Sequence, residues 1–364
     1  MPARCVYIHI PFCRDICSYC DFPKVKCQSN WIDDYLVALK SEIKNRYQKD
    51  KIKTIYFGGG TPTSLSTEQL KTLLSFIKLF RTTANVEITV ETNIGDLTAE
   101  KIELFKQFHI NRVSIGVQTL NPDLLKFLNR QHDYEQLSNA ILLLQEAGIN
   151  NYNFDLMYAI PGQTIAIIKN DLSKLITLKP THISAYSLMI EPHTKLYLDK
   201  VHPINEDLDR SMYDFIRIYL KGRGYNQYEI SNYCKADYVS HHNLNYWESG
   251  EYYGFGLGAT SKLNQTLITN TKSINHYLNQ SYQSTYENLT IRSQMAMSLI
   301  LGLRLRQGVS DLDFYQAFNQ HIANVFDISD LIFKDGYYSL AEQDVYISNQ
   351  ILLKFIKEEN ENEE

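Results

Sequence analysis

The chain has 364 residues, 44% of them hydrophobic, a formal net charge of −5 and 26 tyrosines. Its length suits about two domains with a sizeable core, while the negative charge and the lack of a Lys and Arg stripe speak against a nucleic-acid interface. No apolar run approaches the roughly 18 residues of a membrane span, no basic stretch with an apolar h-region opens the chain, so the expected compartment is the cytoplasm, and six cysteines in so long a chain do not make a disulfide framework.

The first element, Tyr7 to Ile10 ended by Pro11, alternates like a β-strand running into a loop. Cys13, Cys17 and Cys20 follow at CxxxCxxC spacing, just past the carboxyl end of that strand, where α/β folds gather their chemistry. A structural zinc site closes its shell with four ligands, and this motif supplies three. An iron–sulfur cubane normally takes four thiolates, so three leave one iron open to hold a small molecule. Cys27 could in principle add a fourth thiolate; the open-iron reading leaves it, with Cys5 and Cys234, as an isolated reduced thiol.

Strand-like segments recur near 52–57, 86–91, 112–117, 153–157 and 182–187, most of them separated by helix-like stretches. STEQLKTLLSFIKLF opens on a Ser66 to Gln69 capping box, and YEQLSNAILLLQEAG ends on Gly148 as a helix C′ residue. Six βα units argue for a parallel sheet with helices outside and are too few for a closed eight-stranded barrel. The expected fold is therefore α/β, a partial (β/α)6 TIM-like barrel over residues 1–235. Glu91, Gln118 and Asp155, delivered by its strands, are expected at the barrel mouth together with the glycines of IYFGGGTPT, which let backbone amides approach a ligand.

Residues 236–290 hold HHNLNYW and a connection. A smaller helical module with winged-helix character is expected over 291–357, with RSQMAMSLILGLRL as an amphipathic helix and GYYSLAEQDVYISNQILLKFI as a hairpin leading into a helix. Without a basic recognition face it reads as a lid over the barrel mouth. Residues 358–364 form an acidic, solvated tail.

CxxxCxxC with Tyr19 before its last cysteine resembles the cluster motif of the radical S-adenosylmethionine (SAM) superfamily. Closer resemblance is to the HemN and HemW group and spans nearly the whole chain, through YIHIPFC, CxYCDF, GGGTPT, SIGVQT, DLMYAIPGQ, IEPHT, HNLNYW and LGLRL. The resemblance implies a [4Fe–4S] cluster on Cys13, Cys17 and Cys20, whose open iron chelates SAM and whose electron cleaves it when a donor is present. It implies SAM contacts at Tyr7, Gly59, Gly60, Thr61, Glu91, Gln118, Arg130 and Asp155. Carboxylates suit the ribose hydroxyls or the amino group, and an arginine suits the SAM carboxylate or a substrate propionate. No catalytic residue is assigned.

HemN enzymes decarboxylate coproporphyrinogen III oxidatively; they carry a further cysteine two residues after the third and a longer N-terminal segment. Here Phe22 stands at that position and the Tyr7 strand begins close to Met1, which favours the HemW branch of haem-binding chaperones. In that branch the histidine of HNxxYW, here His242, is the implied haem ligand, with Tyr246 and Trp247 available to pack on the macrocycle and His241 as an adjacent alternative. The expected function is a haem chaperone serving acceptor apo-proteins such as respiratory haem proteins, with a homodimer as one open state. A coproporphyrinogen III dehydrogenase and a radical SAM enzyme with another substrate are the alternatives. Two positions depart from the group's pattern, Ile94 where proline is common and Ala159 where glycine is common, and both bear on local geometry and substrate fit.

Overall fold

The computed structural model describes residues 3–27, 29–282 and 285–361. Its main sheet has twelve strands: β1 (Cys5–Ile10), β2 (Lys51–Gly59), β3 (Arg81–Asn93), β4 (Arg112–Gln118), β5 (Tyr152–Tyr158), β6 (His182–Ser187), β7 (Asn226–Gln227), β8 (Asn232–Cys234), β9 (Tyr252–Phe255), β10 (Thr260–Leu263), β11 (Thr266–Thr269) and β12 (Thr285–Asn288). Their order across the sheet is β12-β11-β10-β9-β1-β2-β3-β4-β5-β6-β8-β7. From β9 to β6 every neighbouring pair is parallel, and the strands beyond each end pair antiparallel. The order has two free ends, so the barrel is partial and open, as expected.

The six expected strand segments are β1 to β6. Along most of their length they are buried on both faces, as crossover-connected parallel strands are, with exposed residues at the start of β2 and β3 and near the end of β6; in β4 no residue is exposed. The connections carry α1 (Ser29–Arg46), α2 (Thr67–Leu74), α3 (Ala99–Gln107), α4 (Pro122–Phe127), α5 (Tyr134–Glu146), α6 (Ile165–Thr177) and α7 (Glu206–Lys221). Both halves of the Ser66 and Gln69 capping box form at the start of α2, and Gly148 takes φ +81° just beyond α5, the left-handed conformation that ends a helix without steric cost.

The sheet does not stop at the boundary placed at 235. β9 runs parallel to β1, pairing Cys5 with Tyr252 and Ile8 with Phe255, so segment 236–290 is built into the barrel sheet. Ahead of β9 lies α8 (His241–Trp247), and after β12 come α9 (Ile291–Gly302), α10 (Asp311–Phe318) and α11 (Ser348–Glu361). With them goes a small sheet of Val309–Ser310, Ile332–Lys334 and Tyr337–Ser339, whose first strand packs against α9 and α10. The hairpin of that sheet turns at Asp335 and Gly336, with φ 51° and 84°, the positive pair a tight two-residue turn requires; only its second strand lies in the segment expected to form it, and the rest of that segment passes through a 3₁₀ turn at Glu342–Asp344 into α11. The module docks on α7: the Arg210 guanidinium stands 4.9 Å from the Tyr346 ring, Tyr213 and Tyr346 meet at 5.6 Å, and Arg217 pairs with Glu342. Of the expected acidic tail, 362–364 lies outside the described residues.

Candidate functional site

The cysteine loop is folded back on itself and pinned to the barrel. Phe12–Cys13 pairs in parallel with Val25–Lys26, the Ser18 N–H donates to the Leu128 carbonyl at 3.2 Å, and the Leu196 N–H donates to the Ser18 carbonyl at 3.0 Å. Cys13, Cys17 and Cys20 line one cavity of about 460 Å³. Gly60 is there because nothing larger fits: a Cβ would lie 2.8 Å from the Cys13 sulfur and 2.7 Å from the Phe12 carbonyl oxygen. Burial pushes the Cys13 thiol up to about 12, and the neighbouring Cys20 and Cys17 add to it. Burial raises the Cys20 thiol as well, so these two favour the thiol form unless a bound cation holds them as thiolates. Cys27 is set apart. Its N–H donates to the Cys13 carbonyl at 3.0 Å, but its thiol turns to the Ser64 hydroxyl at 3.5 Å, and all six cysteines are free.

Gly59, Gly60, Thr61, Glu91, Gln118, Arg130 and Asp155 line the same cavity. Glu91 accepts from the Tyr56 hydroxyl at 2.7 Å and the Gly59 N–H at 3.0 Å. Gln118 ends β4 with φ +66°, beside a register shift between Gly116 and Gln118, which turns it to the mouth. Asp155 is not at a strand end; it sits mid-strand in β5, facing inward, and its carboxylate accepts from Asn153 at 2.7 Å and Ser114 at 3.5 Å. Arg130 reaches across the loop, with Nη1 3.4 Å from the Cys17 sulfur and from the Tyr19 hydroxyl, and Nη2 donating to Asn93 at 2.7 Å and to the Gly116 carbonyl at 2.6 Å. Its Nε is buried without a partner.

Tyr7 instead faces an adjoining cavity of about 800 Å³, which also takes in Tyr56, Glu91, Tyr186, Asp209, Glu229, Trp247, Arg304 and, from the C-terminal module, Val345, Tyr346, Ser348 and Asn349. Phe22 is 61% exposed and lies where the two cavities meet. His242 lines the wider cavity but is 1% exposed. Its Nδ1 meets the Thr54 hydroxyl at 2.7 Å and its Nε2 the Tyr246 hydroxyl at 3.0 Å, while its ring stacks on Tyr56 at 4.9 Å. Burial pushes its pKa down to about 3, with the Arg112 charge adding to it, so the ring is neutral. Glu87 caps α8, accepting the His241 and His242 N–H groups at 3.1 and 3.0 Å. His241 itself is exposed.

Several lining residues were not singled out from the sequence: Tyr56, Asn93, Arg112, Ser114, Asn153, His182, Ser184 and Tyr186. The signal for them is the period of two along each strand. Arg112, Ser114, Gly116 and Gln118 share one face of β4, as Asn153, Asp155 and Met157 do of β5 and His182, Ser184 and Tyr186 of β6. Among the described residues no three His, Cys, Asp or Glu side chains converge as a single-ion site needs. A cubane asks for something else, since each thiolate holds a different iron. Three thiols around one cavity, an arginine beside them and polar strands beneath fit such a cluster with a ligand at its open iron.

Fold and site together define a radical SAM protein, and the model of the radical SAM superfamily matches residues 7–175. The heme chaperone HemW of Bacillus subtilis (strain 168) is 37% identical, over 95% of this chain and 96% of that one; that of Lactococcus lactis subsp. lactis (strain IL1403) is 36% identical, over 96% of each. The structure of coproporphyrinogen III oxidase (HemN) from Escherichia coli superposes with a TM-score of 0.85 over 97% of this chain and 90% of that one, at 20% identity, a likeness of fold. The chain belongs to the HemW family of radical SAM proteins, with SAM and a [4Fe–4S] cluster as the cofactors that membership implies.

Proposed function

We propose that the protein is a haem chaperone: it holds a SAM-coordinated [4Fe–4S] cluster, binds haem and delivers it to acceptor apo-proteins of the cytoplasm, respiratory haem proteins among them. The observation that carries this is the 36–37% identity with heme chaperones over nearly the whole chain, in a chain whose HHNLNYW segment forms a helix walling the cavity next to the cysteines. Cys13, Cys17 and Cys20 hold the cluster. Gly59, Gly60, Thr61, Glu91, Gln118, Arg130 and Asp155 surround SAM, with Tyr7 flanking it from the adjoining cavity that Glu91 also lines, and SAM is cleaved only when an electron donor is engaged. Phe22 in place of a further cysteine supports the chaperone over the dehydrogenase.

His242 supplies the axial bond only after the Tyr246 hydroxyl leaves its Nε2, and this release step makes the ligand testable. Anaerobically reconstituted protein is titrated with haem and assayed for coproporphyrinogen III turnover on the same sample. One haem per chain and no protoporphyrinogen are expected. His242→Ala weakens haem binding and shifts the Soret band, Tyr246→Phe tightens binding by uncapping Nε2, and His241→Ala changes neither. The reverse pattern moves the ligand to His241, and protoporphyrinogen formation replaces the chaperone by the dehydrogenase.

A further inference from the structure

The chamber holds a cation that the cluster and SAM contacts do not use. Arg112 opens β4, at the opposite end from Gln118, and lines the narrower cavity while being 2% exposed. Its Nε has no partner, and among the described residues no hydrogen bond or ion pair joins its guanidinium. Its register partner on β3, Thr89, is fully buried with its hydroxyl equally unpartnered. Asp155 is close enough for Arg112 to act on its charge, yet its oxygens are taken by Asn153 and Ser114. A guanidinium withdrawn from water with neither a hydrogen bond nor an ion-pair contact is unfavourable to bury. Arg130, by contrast, has four partners at the mouth.

We propose that Arg112 anchors a carboxylate of a ligand at the floor of the chamber, and that this carboxylate is a propionate of the tetrapyrrole. The planar fork of a guanidinium takes two carboxylate oxygens at once. SAM's own carboxylate is the other source of this chemistry, but position argues against it. Arg130 stands beside Cys17, where an open iron and its ligand belong, and at roughly 3.3 Å per residue the Arg112 Cα lies about 13 Å down the strand from Gly116, whose carbonyl holds Arg130. The helix of the haem motif lies at the Arg112 end: Ser240 and Asn243 line the same cavity as Arg112, and the field of Arg112 reaches His242. The wider cavity offers Arg304, which lies in the field of Glu229. The assignment of the propionate rests on the haem reading above.

The test compares paired ligands that differ in one carboxylate. Haem and haem dimethyl ester, and separately SAM and decarboxylated SAM, are titrated into the reconstituted wild type, Arg112→Met and Arg112→Lys, with circular dichroism and iron content as checks of folding. The wild type should bind haem at least about tenfold more tightly than its ester, about 1.4 kcal/mol. Arg112→Met should lose that preference, Arg112→Lys should keep part of it, and discrimination between the two SAM forms should be unchanged in all three. A preference that moves with Arg112 only in the SAM pair keeps the anchor but places it on SAM. Equal haem and ester affinities in the wild type, with Arg112→Met altering neither pair, overturn the anchor. Failure of the wild type to take up haem sinks the haem reading, and the SAM pair then decides whether Arg112 holds a carboxylate at all.

Discussion

Glu91 is fixed by two donors, Tyr56 and Gly59, yet burial pushes its pKa from 4.5 up to about 7, with Asp155 adding to the effect. The folded value lies above the unfolded one, so the native state binds the extra proton. The carboxyl's contribution to stability is full below about pH 4.5 and is lost as pH rises through about 7. A bound sulfonium and donor hydroxyls select the opposite form, the ionised carboxylate. SAM binding by the reconstituted protein should therefore tighten as pH rises through about 7, and Glu91→Gln should flatten the profile as well as lower the affinity. Equilibrium dialysis across that range decides it, and a flat wild-type profile removes Glu91 from the ligand's contacts. Other residues show why the group's pattern is what it is. Ala159 has φ +60°, the region glycine enters most easily, and Ile94 opens a short 3₁₀ turn after an extended Asn93, a position that proline tolerates. Both departures leave the backbone in the shape that the more common residue would favour.

Among the elements, the cysteine loop and the six leading strands were legible because their signals are local: a spaced thiol motif, an alternation, a capping box. β9 was not. It is four residues long, its glycine is required by a close approach, since a Cβ at Gly254 would fall 2.0 Å from the Thr260 carbonyl oxygen, and its strand partner β1 lies at the other end of the sequence. The inward side chains of β4, β5 and β6 were only partly found, since attention to strand ends passes over Arg112, Asn153 and His182 at strand beginnings. The loop also bears on the choice between three thiolates and four. Cys27 is held against Cys13 by a backbone bond but aims its thiol at Ser64, away from the shared cavity. Cys27→Ala should retain the full iron content after anaerobic reconstitution, and an EPR signal that still responds to SAM, whereas Ala at Cys13, Cys17 or Cys20 should lose the cluster. Loss of iron in the Cys27 variant would mean that the fourth iron is not open.

At the scale of the whole molecule, the narrower cavity belongs to the barrel and its cysteine loop, whereas the wider one has walls from both the barrel and the C-terminal module. The module was expected as a lid over the mouth, but which residues form that second wall had no local signal, because it joins Tyr7 and Tyr56 to Val345 and Tyr346 across most of the sequence. Part of the module's hold on the barrel passes through Tyr346, whose ring meets Arg210 at 4.9 Å and Tyr213 at 5.6 Å and whose hydroxyl reaches the Glu206 carbonyl at 3.4 Å. Truncating such a half-buried aromatic removes about 1–3 kcal/mol of packing and cation–π attraction, enough to loosen the wall without unfolding the barrel. The cysteine loop is tied instead to Leu128 and Leu196, and none of these ties involves the module. Tyr346→Ala should therefore speed haem release and weaken haem binding several-fold while leaving cluster content and SAM affinity at wild-type values. The measurements are haem transfer to apomyoglobin, followed in stopped flow, and SAM dialysis on the same preparation. A parallel loss of SAM affinity would show that the module supports the whole chamber, and unchanged haem release would show that haem leaves by a route the module does not wall.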